Sequence, residues 1–340
     1  METGLKSRTF NSDPSGVENL NCRRPLKSSV RSGGATYLQP LSEEEISNYI
    51  KAGRAIREAK RRVQSFVKEG MRILDICELV EKLLEEQRCR PAFPCGVCIN
   101  AVAAHYTAGI DDQKVIPPES LVKVDMGAHV EGCIADSAIT ISINSEHVDM
   151  ITAAEEALEK AVEVIEPGMK IYEVSSVIEK TIKSYGFKPI SNLTGHKLEP
   201  YTVHAGVTIP NVASLESRMA RFEPGGVYAI EPFVTTREGA GEVINGAGGN
   251  ILRVARVKAP KDPKLREFFN DVRTTFKTLP FTARWLVDKW GKEFTKAAVE
   301  ELLRGRLLYE YPVLIERLRK PVAQAEHTVL ILEKEVIVIT

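Results

Sequence analysis

Hydrophobic periodicity in this chain begins at Leu41. Residues 1–40 are rich in Ser, Gly, Asn and Arg and show no helical or strand period, which predicts a disordered leader. Arg23, Arg24, Lys27 and Arg31 make that leader mildly basic, with the charges dispersed. From Leu41 the pattern changes. Ser42 followed by Glu43, Glu44 and Glu45 places an N-cap and an acidic first turn before a long amphipathic helix reaching about Lys68. Gly70 ends it, and a second helix covers Ile73 to Glu86. Val122–Val130 and Gly132–Ile143 read as two strands joined by a short turn. Farther on, Lys264–Phe276, Thr282–Trp290 and Phe294–Gly305 carry helical periodicity, and strands resume near Val322. The simplest account is a helical insertion over 242–310 interrupting a domain built from 41–241 and 311–340. Gly246-Ala-Gly-Gly249 reads as a loop within that span.

The two-helix pattern recurs. Lys68 to Lys82 (KEGMRILDICELVEK) matches Glu166 to Lys180 (EPGMKIYEVSSVIEK), with Gly70/Gly168, Met71/Met169, Ile73/Ile171, Glu81/Glu179 and Lys82/Lys180 identical. Ile76/Val174, Leu79/Val177 and Val80/Ile178 keep the apolar face, and Ala55/Ala153 and Ala59/Ala157 match upstream. Each copy is two helices followed by strands, an α+β duplication. Pro118 precedes Asp125, at the end of Leu121-Val-Lys-Val-Asp125, by the same seven residues that separate Pro224 from Glu231 in Val227-Tyr-Ala-Ile-Glu231. A pseudo-twofold arrangement brings those two strand ends face to face.

Composition narrows the function. Lys+Arg and Asp+Glu are both 46, so no global field favours nucleic acid or an anionic membrane. No apolar run is long enough to span a bilayer, and the N-terminus lacks a signal-peptide core. Six scattered cysteines point to a reducing cytoplasm. Cys95-Gly-Val-Cys98 has no second CxxC at finger-like spacing and no thioredoxin-like context, so it reads as coincidence. GxSxG, HExxH and P-loop signatures are absent.

The chemistry concentrates in Asp125, Asp136, His196, Glu231 and Glu326, each in a strand-like segment with small or apolar neighbours. Two carboxylates about 4 Å apart repel by about 4 kcal/mol at an effective dielectric near 20. Two divalent ions about 3.5–4 Å apart turn that repulsion into attraction and make a hydrolytic centre. A hairpin turn centred between Val130 and Glu131 sets Asp125 directly opposite Asp136, where like charges destabilise a sheet unless something binds them. His196 suits a first-row transition metal. His105 and His204 suit hydrogen bonding to a substrate carbonyl, amide or developing oxyanion. His129, in the turn, and His147 are expected to be exposed, and His327 to face away from the metals.

These motifs resemble a known family. VKVDMGAHVEGCIADSAIT, NLTGHKLEPYTVHAG, YAIEPF and AQAEHT are similar to segments of the type 2 methionine aminopeptidases, and FPCGVCINAVAAHYT to the segment carrying their first substrate-facing histidine. LPFTARWL and YEYPVL resemble the type 2 helical subdomain. The likeness covers about residues 41–340, its motifs in order. It implies a pita-bread fold, two αβ halves around a curved antiparallel sheet plus a helical insertion. It also implies a monomeric enzyme that removes initiator methionine from nascent polypeptide N-termini, near the ribosome, with two divalent ions (Co, Mn, Fe or Zn). On the resemblance, Asp125 chelates one ion, His196 and Glu231 bind the other, and Asp136 and Glu326 bridge both. A metal-bridging hydroxide attacks the scissile carbonyl and Glu231 takes up the proton. His204 polarises the carbonyl, His105 contacts the amide, and Phe93, His204 and Tyr311 line the methionine pocket. Ala325 departs from the phenylalanine usual beside the last ligand, which bears on pocket packing. The alternatives are a proline-type peptidase on the same fold, which normally carries a separate N-terminal domain, and a non-catalytic pita-bread binding protein, in which ligands are expected to be lost.

Overall fold

A computed structural model describes residues 41–340; the predicted leader lies outside the described residues. The first half comprises α1 (Glu43–Phe66), α2 (Ile73–Glu86), β1 (Arg90–Ile99), β2 (Val102–Ala104), β3 (Ser120–Val130) and β4 (Cys133–Ile143). The second comprises α3 (Val148–Val164), α4 (Ile171–Ser184), β5 (Lys188–Pro189), β6 (Thr194–Leu198), β7 (Thr208–Pro210), β8 (Val227–Ile230) and β9 (Phe233–Thr235). Then come β10 (Val243–Val254), α5 (Pro263–Phe276), a 3-10 turn (Ala283–Leu286), α6 (Val287–Trp290), α7 (Lys292–Arg304) and β11 (Leu308–Glu316). β12 (Val322–Gln324), β13 (His327–Ile331) and β14 (Val336–Val338) close the chain.

Local chemistry explains the helices. Ser42 and Glu45 form a reciprocal capping box: the Glu45 amide donates to Ser42 Oγ at 3.2 Å and the Ser42 amide to Glu45 Oε2 at 2.8 Å. Tyr49, Ala52, Ile56, Ala59 and Val63 then recur at helical spacing and bury one face of α1 in the first core. α3 and α4 bury the corresponding face in a second core with Ala153, Ala157, Val174 and Ile178.

The duplication is legible in the hydrogen bonds. Gly70 and Gly168 both take positive φ, 77° and 81°, the conformation that favours glycine. Gly70 donates to Ile116 O and Gly168 to Phe222 O; Ile73 donates to Lys114 O and Ile171 to Ala220 O. The same lattice thus leads into β3 and into β8, which carry Asp125 and Glu231 to equivalent places.

All strand pairs are antiparallel. β1–β3–β4 backs the first half and β14–β13–β8–β6–β7 the second. The halves meet where β4 faces β12 and β13, and hydroxyls stitch that seam. Thr328 Oγ1 donates to Asp136 O at 2.7 Å and accepts from Asp136 N at 2.8 Å; Gln324 N donates to Thr140 Oγ1 at 2.8 Å.

Three expectations need correction. Asp125 pairs with Ala138, and Asp136 with Gly127, so the two acids are diagonal neighbours on one face and not direct partners. The turn is the two residues Glu131 and Gly132, both left-handed (φ 49° and 92°), which centres it one residue later than expected. His129 is buried in β3 instead of exposed in the turn, because Tyr201 packs edge-on at 5.6 Å and the Gly132 amide donates to its Nδ1. Residues 243–254, Gly246–Gly249 included, form strand β10 and not the start of a helical segment or a loop. A Cβ at Gly249 would meet the His105 carbonyl and one at Gly248 the Glu310 carboxylate, so this strand uses glycine for close approach. β10 pairs with β11, and β11 with β2, while the predicted helices α5 to α7 gather around their own cluster of Phe268, Phe269, Phe281 and Leu302. His147 is partly exposed, with a third of its side chain open, and His327 turns to Thr340 Oγ1 at 3.0 Å.

Candidate metal centre and active-site cavity

Strand geometry delivers the acids to one point. β3 brings Asp125, β4 Asp136, β6 His196, the end of β8 Glu231, and the β12–β13 junction Glu326. Gly195 is required beside His196, since a Cβ there would strike the Ala229 carbonyl on β8. Asp136, His196 and Glu326 are all buried, and one donor atom from each lies within 4.8 Å of the others. His196 Nε2 is 3.4 Å from Glu231 Oε1 and 3.7 Å from Asp136 Oδ2. Asp125 stands one cross-strand step along the same wall. Gln324 Nε2 donates to Glu326 Oε2 at 3.3 Å.

The electrostatics are those of a centre built for cations. Burial lifts the Asp125 carboxyl to about 7. Burial, then the charge of Asp125, holds Asp136 well above the carboxylate range. Glu231 and Glu326 are raised for the same reasons, burial first and the neighbouring acids next. Burial, then His204, pushes His196 down to about 3. Four acids that resist ionisation next to an imidazole that resists protonation form a donor set for metal ions. Asp125 Oδ1 is buried without a hydrogen-bond partner, which fits a carboxylate oxygen that serves as a metal donor. Hard carboxylates with one imidazole suit first-row divalent metals.

These five residues line a cavity of about 210 Å³ together with Phe93, His105, His204 and Tyr311, so every predicted site residue faces the same space. His204 stands at the mouth, its ring edge-on to His196 at 4.5 Å, and partial burial lowers its pKa. His105 adopts φ 65°, sits edge-on to Tyr311 at 5.5 Å, and is pushed to about 4 by burial, then by His204. Both rings are therefore neutral at pH 7. Ala325 is buried in the second core and is not among the cavity residues. Cys95 and Cys98 are unpaired, buried thiols.

Several lining residues went unread. Asn192 and Thr194 share the wall with His196. Thr194 stands two residues before His196 on β6, and that spacing is a signal in the sequence, whereas Asn192 lies in the turn ahead of the strand. Asn192 is pinned by Val243, accepting its amide at 2.8 Å and donating to its carbonyl at 2.9 Å. Pro280 arrives from the insertion and carried no such signal.

With this geometry in place, the comparisons are consistent. The profile of metallopeptidase family M24 matches residues 47–272. The chain belongs to that metallopeptidase family. It is 42% identical to the methionine aminopeptidase of Thermococcus onnurineus (strain NA1), covering 86% of this chain and 98% of the relative. It is 39% identical to the methionine aminopeptidase of Saccharolobus solfataricus (strain P2), covering 88% and 99%. Among solved structures, a methionine aminopeptidase from Thermotoga maritima superposes with TM-score 0.63 at 23% identity over 89% of this chain and 98% of that one. A thermophilic Arx1 gives 0.75 at 22% over 88% and 91%, and the prolidase from Pyrococcus furiosus 0.55 at 19% over 88% and 64%. At those identities the structural likenesses speak for a shared pita-bread fold alone.

Proposed function

We propose that this chain is a metal-dependent aminopeptidase that removes the N-terminal methionine from newly made polypeptides. One observation carries the reading: five metal-type donors and four substrate-type side chains line a single cavity. The apolar part of its wall, with Phe93 and Tyr311, lies beside the donors, where a terminal side chain would sit next to the reacting bond, which favours exopeptidase cleavage. The donor set is suited to two divalent ions drawn from Co, Mn, Fe or Zn. Asp125, Asp136, His196, Glu231 and Glu326 would hold them. Bound divalent ions supply Lewis acidity and a nucleophile at neutral pH.

The chain's own groups do the rest. Glu231 accepts the proton released on attack and returns it to the leaving amine. His204, neutral and at the mouth, donates to the scissile carbonyl, and His105 holds the adjoining amide. Phe93, Tyr311, Leu193 and Leu314 give the first side chain an apolar wall. No described helix is long and apolar enough to cross a membrane. Action in the cytoplasm, close to the ribosome and as a monomer, fits a substrate met at the start of translation.

Incubating the metal-loaded protein with Met-Ala and Xaa-Pro peptides tests the reading. Free methionine should appear, and the Xaa-Pro series should stay intact. Release from Xaa-Pro peptides alone would reassign the chain to the proline-type peptidases, and no turnover with any tested metal would refute the enzymatic reading.

A further inference from the structure

Glu81, buried on α2, is one of the residues repeated between the two halves, and its counterpart Glu179 shows what the pair share. Glu179 accepts the amide of Ala213 at 3.0 Å and pairs with Lys183 on its own helix. Glu81 likewise accepts a backbone amide, that of Cys95, at 3.1 Å. Its cationic partner, however, comes from far along the chain. Arg284, in the 3-10 turn of the insertion, grips both Glu81 oxygens, and Trp285 Nε1 donates to the same carboxylate at 2.8 Å. Both charged side chains are less than a tenth exposed. A bidentate, desolvated Arg–carboxylate pair is directional as well as strong.

The reach of this pair defines its role. The register of β1 against β3 slips by one residue between Phe93 and Gly96, which removes the Cys95 amide from the ladder and leaves Glu81 to satisfy it. Phe93 and Gly96, on either side, line the cavity. Arg284 Nε also donates to Ala108 O at 3.2 Å, and its terminal nitrogen approaches Thr107 Oγ1 at 3.4 Å. Thr107 Oγ1 in turn donates to Cys95 O at 2.7 Å. Lys292 and Lys296 of α7 reach Asp111 at the far end of the same segment. That segment begins at His105, whose left-handed backbone persists only when its surroundings hold it.

We propose that Arg284 and Glu81 are a positioning pair through which the insertion holds Phe93 and His105 against the cavity, and so sets the affinity for the substrate's first side chain. The proposal rests on the aminopeptidase reading for its kinetic consequence and on the backbone contacts for its structural one. Neither residue touches the metal-type donors.

The test uses the full-length, metal-loaded protein carrying Arg284→Met, Arg284→Lys or Trp285→Phe. Two readouts are taken: steady-state kinetics on a Met-Ala peptide, and hydrogen exchange followed by mass spectrometry. For Arg284→Met, kcat/KM should fall on the order of ten- to a hundredfold, mainly through KM. Exchange should quicken in peptides spanning 93–97 and 105–109, and metal content should match the wild type. Arg284→Lys, which keeps the charge and loses the fork, should lie between. If Arg284→Met does not fold, Arg284→Lys and Trp285→Phe decide, and wild-type KM with wild-type exchange in both overturns the proposal. A wild type inactive on every methionyl peptide removes the functional reading, while the exchange data still judge the positioning.

Discussion

Stripping the metal should make this protein lose stability as pH rises from 6.5 to 7.5. The cause is the acid cluster. A buried carboxyl whose folded pKa is raised contributes stability while it keeps its proton and loses that contribution as pH climbs through the folded value. Asp136, Glu231 and Glu326 are all held well above the ordinary range, and Asp125 rises to about 7. The unfolded chain has released these protons by about pH 5. Each proton retained in the folded state therefore costs about 1.4 kcal/mol of stability per pH unit. Asp125, half titrated near pH 7, therefore gives up about 0.7 kcal/mol over the interval, and each of the other three acids adds up to about 1.4 kcal/mol while it keeps its proton, a fall on the order of a few °C in Tm. The buried bases work against this fall and reduce it. His196 and His327, lowered to about 3, and His105 and His129, lowered to about 4, each return about 0.3 kcal/mol over the same interval as the unfolded histidines, near 6.5, finish losing their protons. Lys60 and Lys123, lowered to about 8, add a smaller gain of about 0.1 kcal/mol each in the same direction. Calorimetry after chelator dialysis, with a Mn-reloaded control, reads the effect. The chelated protein should show the fall and the reloaded one should be nearly flat, since ligands bound to metal are already deprotonated. A chelated Tm that stays level or climbs, or equal slopes in both samples, refutes the reasoning.

Two further outcomes follow from the same geometry. Asp136→Asn should cut turnover by more than about a hundredfold and lower metal content, yet raise the Tm of the chelated protein at pH 7.5 by removing one buried acid; paired activity, metal and melting measurements check it. Gly127→Ala should raise KM for methionyl peptides with metal content unchanged, because a Cβ there runs into the Phe93 ring at the cavity wall, an overpacking cost of about 1–3 kcal/mol; titrating substrate against the variant decides it.

What the sequence made legible was residue type and repetition. The α1–α2 and α3–α4 pairs could be read because capping and apolar period act over a few residues, and the matching turns at Gly70 and Gly168 mark the copies. The metal-type donors stood out because acids beside apolar strand residues violate ordinary burial. Register was harder. It depended on Glu131, a residue with no intrinsic preference for φ above zero, adopting 49° ahead of Gly132. Strand β10 was hidden because its glycines, placed for contact with His105 and Glu310, suppress the alternation that marks a strand. The burial of His129 depended on Tyr201, which is remote in sequence.

The seam between the halves shows why such a site is only half legible. Duplication explains one carboxylate per half at equivalent places, although Asp125 lies within β3 where Glu231 directly follows the end of β8. It does not explain Asp136 and Glu326, which come together because β4 and β13 meet edge on. Thr328 both donates to and accepts from the Asp136 backbone, Ser137 donates to Glu326 O, and Glu326 N donates to Ala138 O at 3.1 Å. Neighbouring acids repel, so the folded chain alone gives them no reason to converge. Ordinary hydroxyls and amides hold the strands close enough that the acids have little freedom to separate. Those hydroxyls belong to residues common in any strand, and their pairing exists only after the halves have closed. The ligands therefore announce themselves by chemistry, whereas the framework that forces them together is visible only in three dimensions.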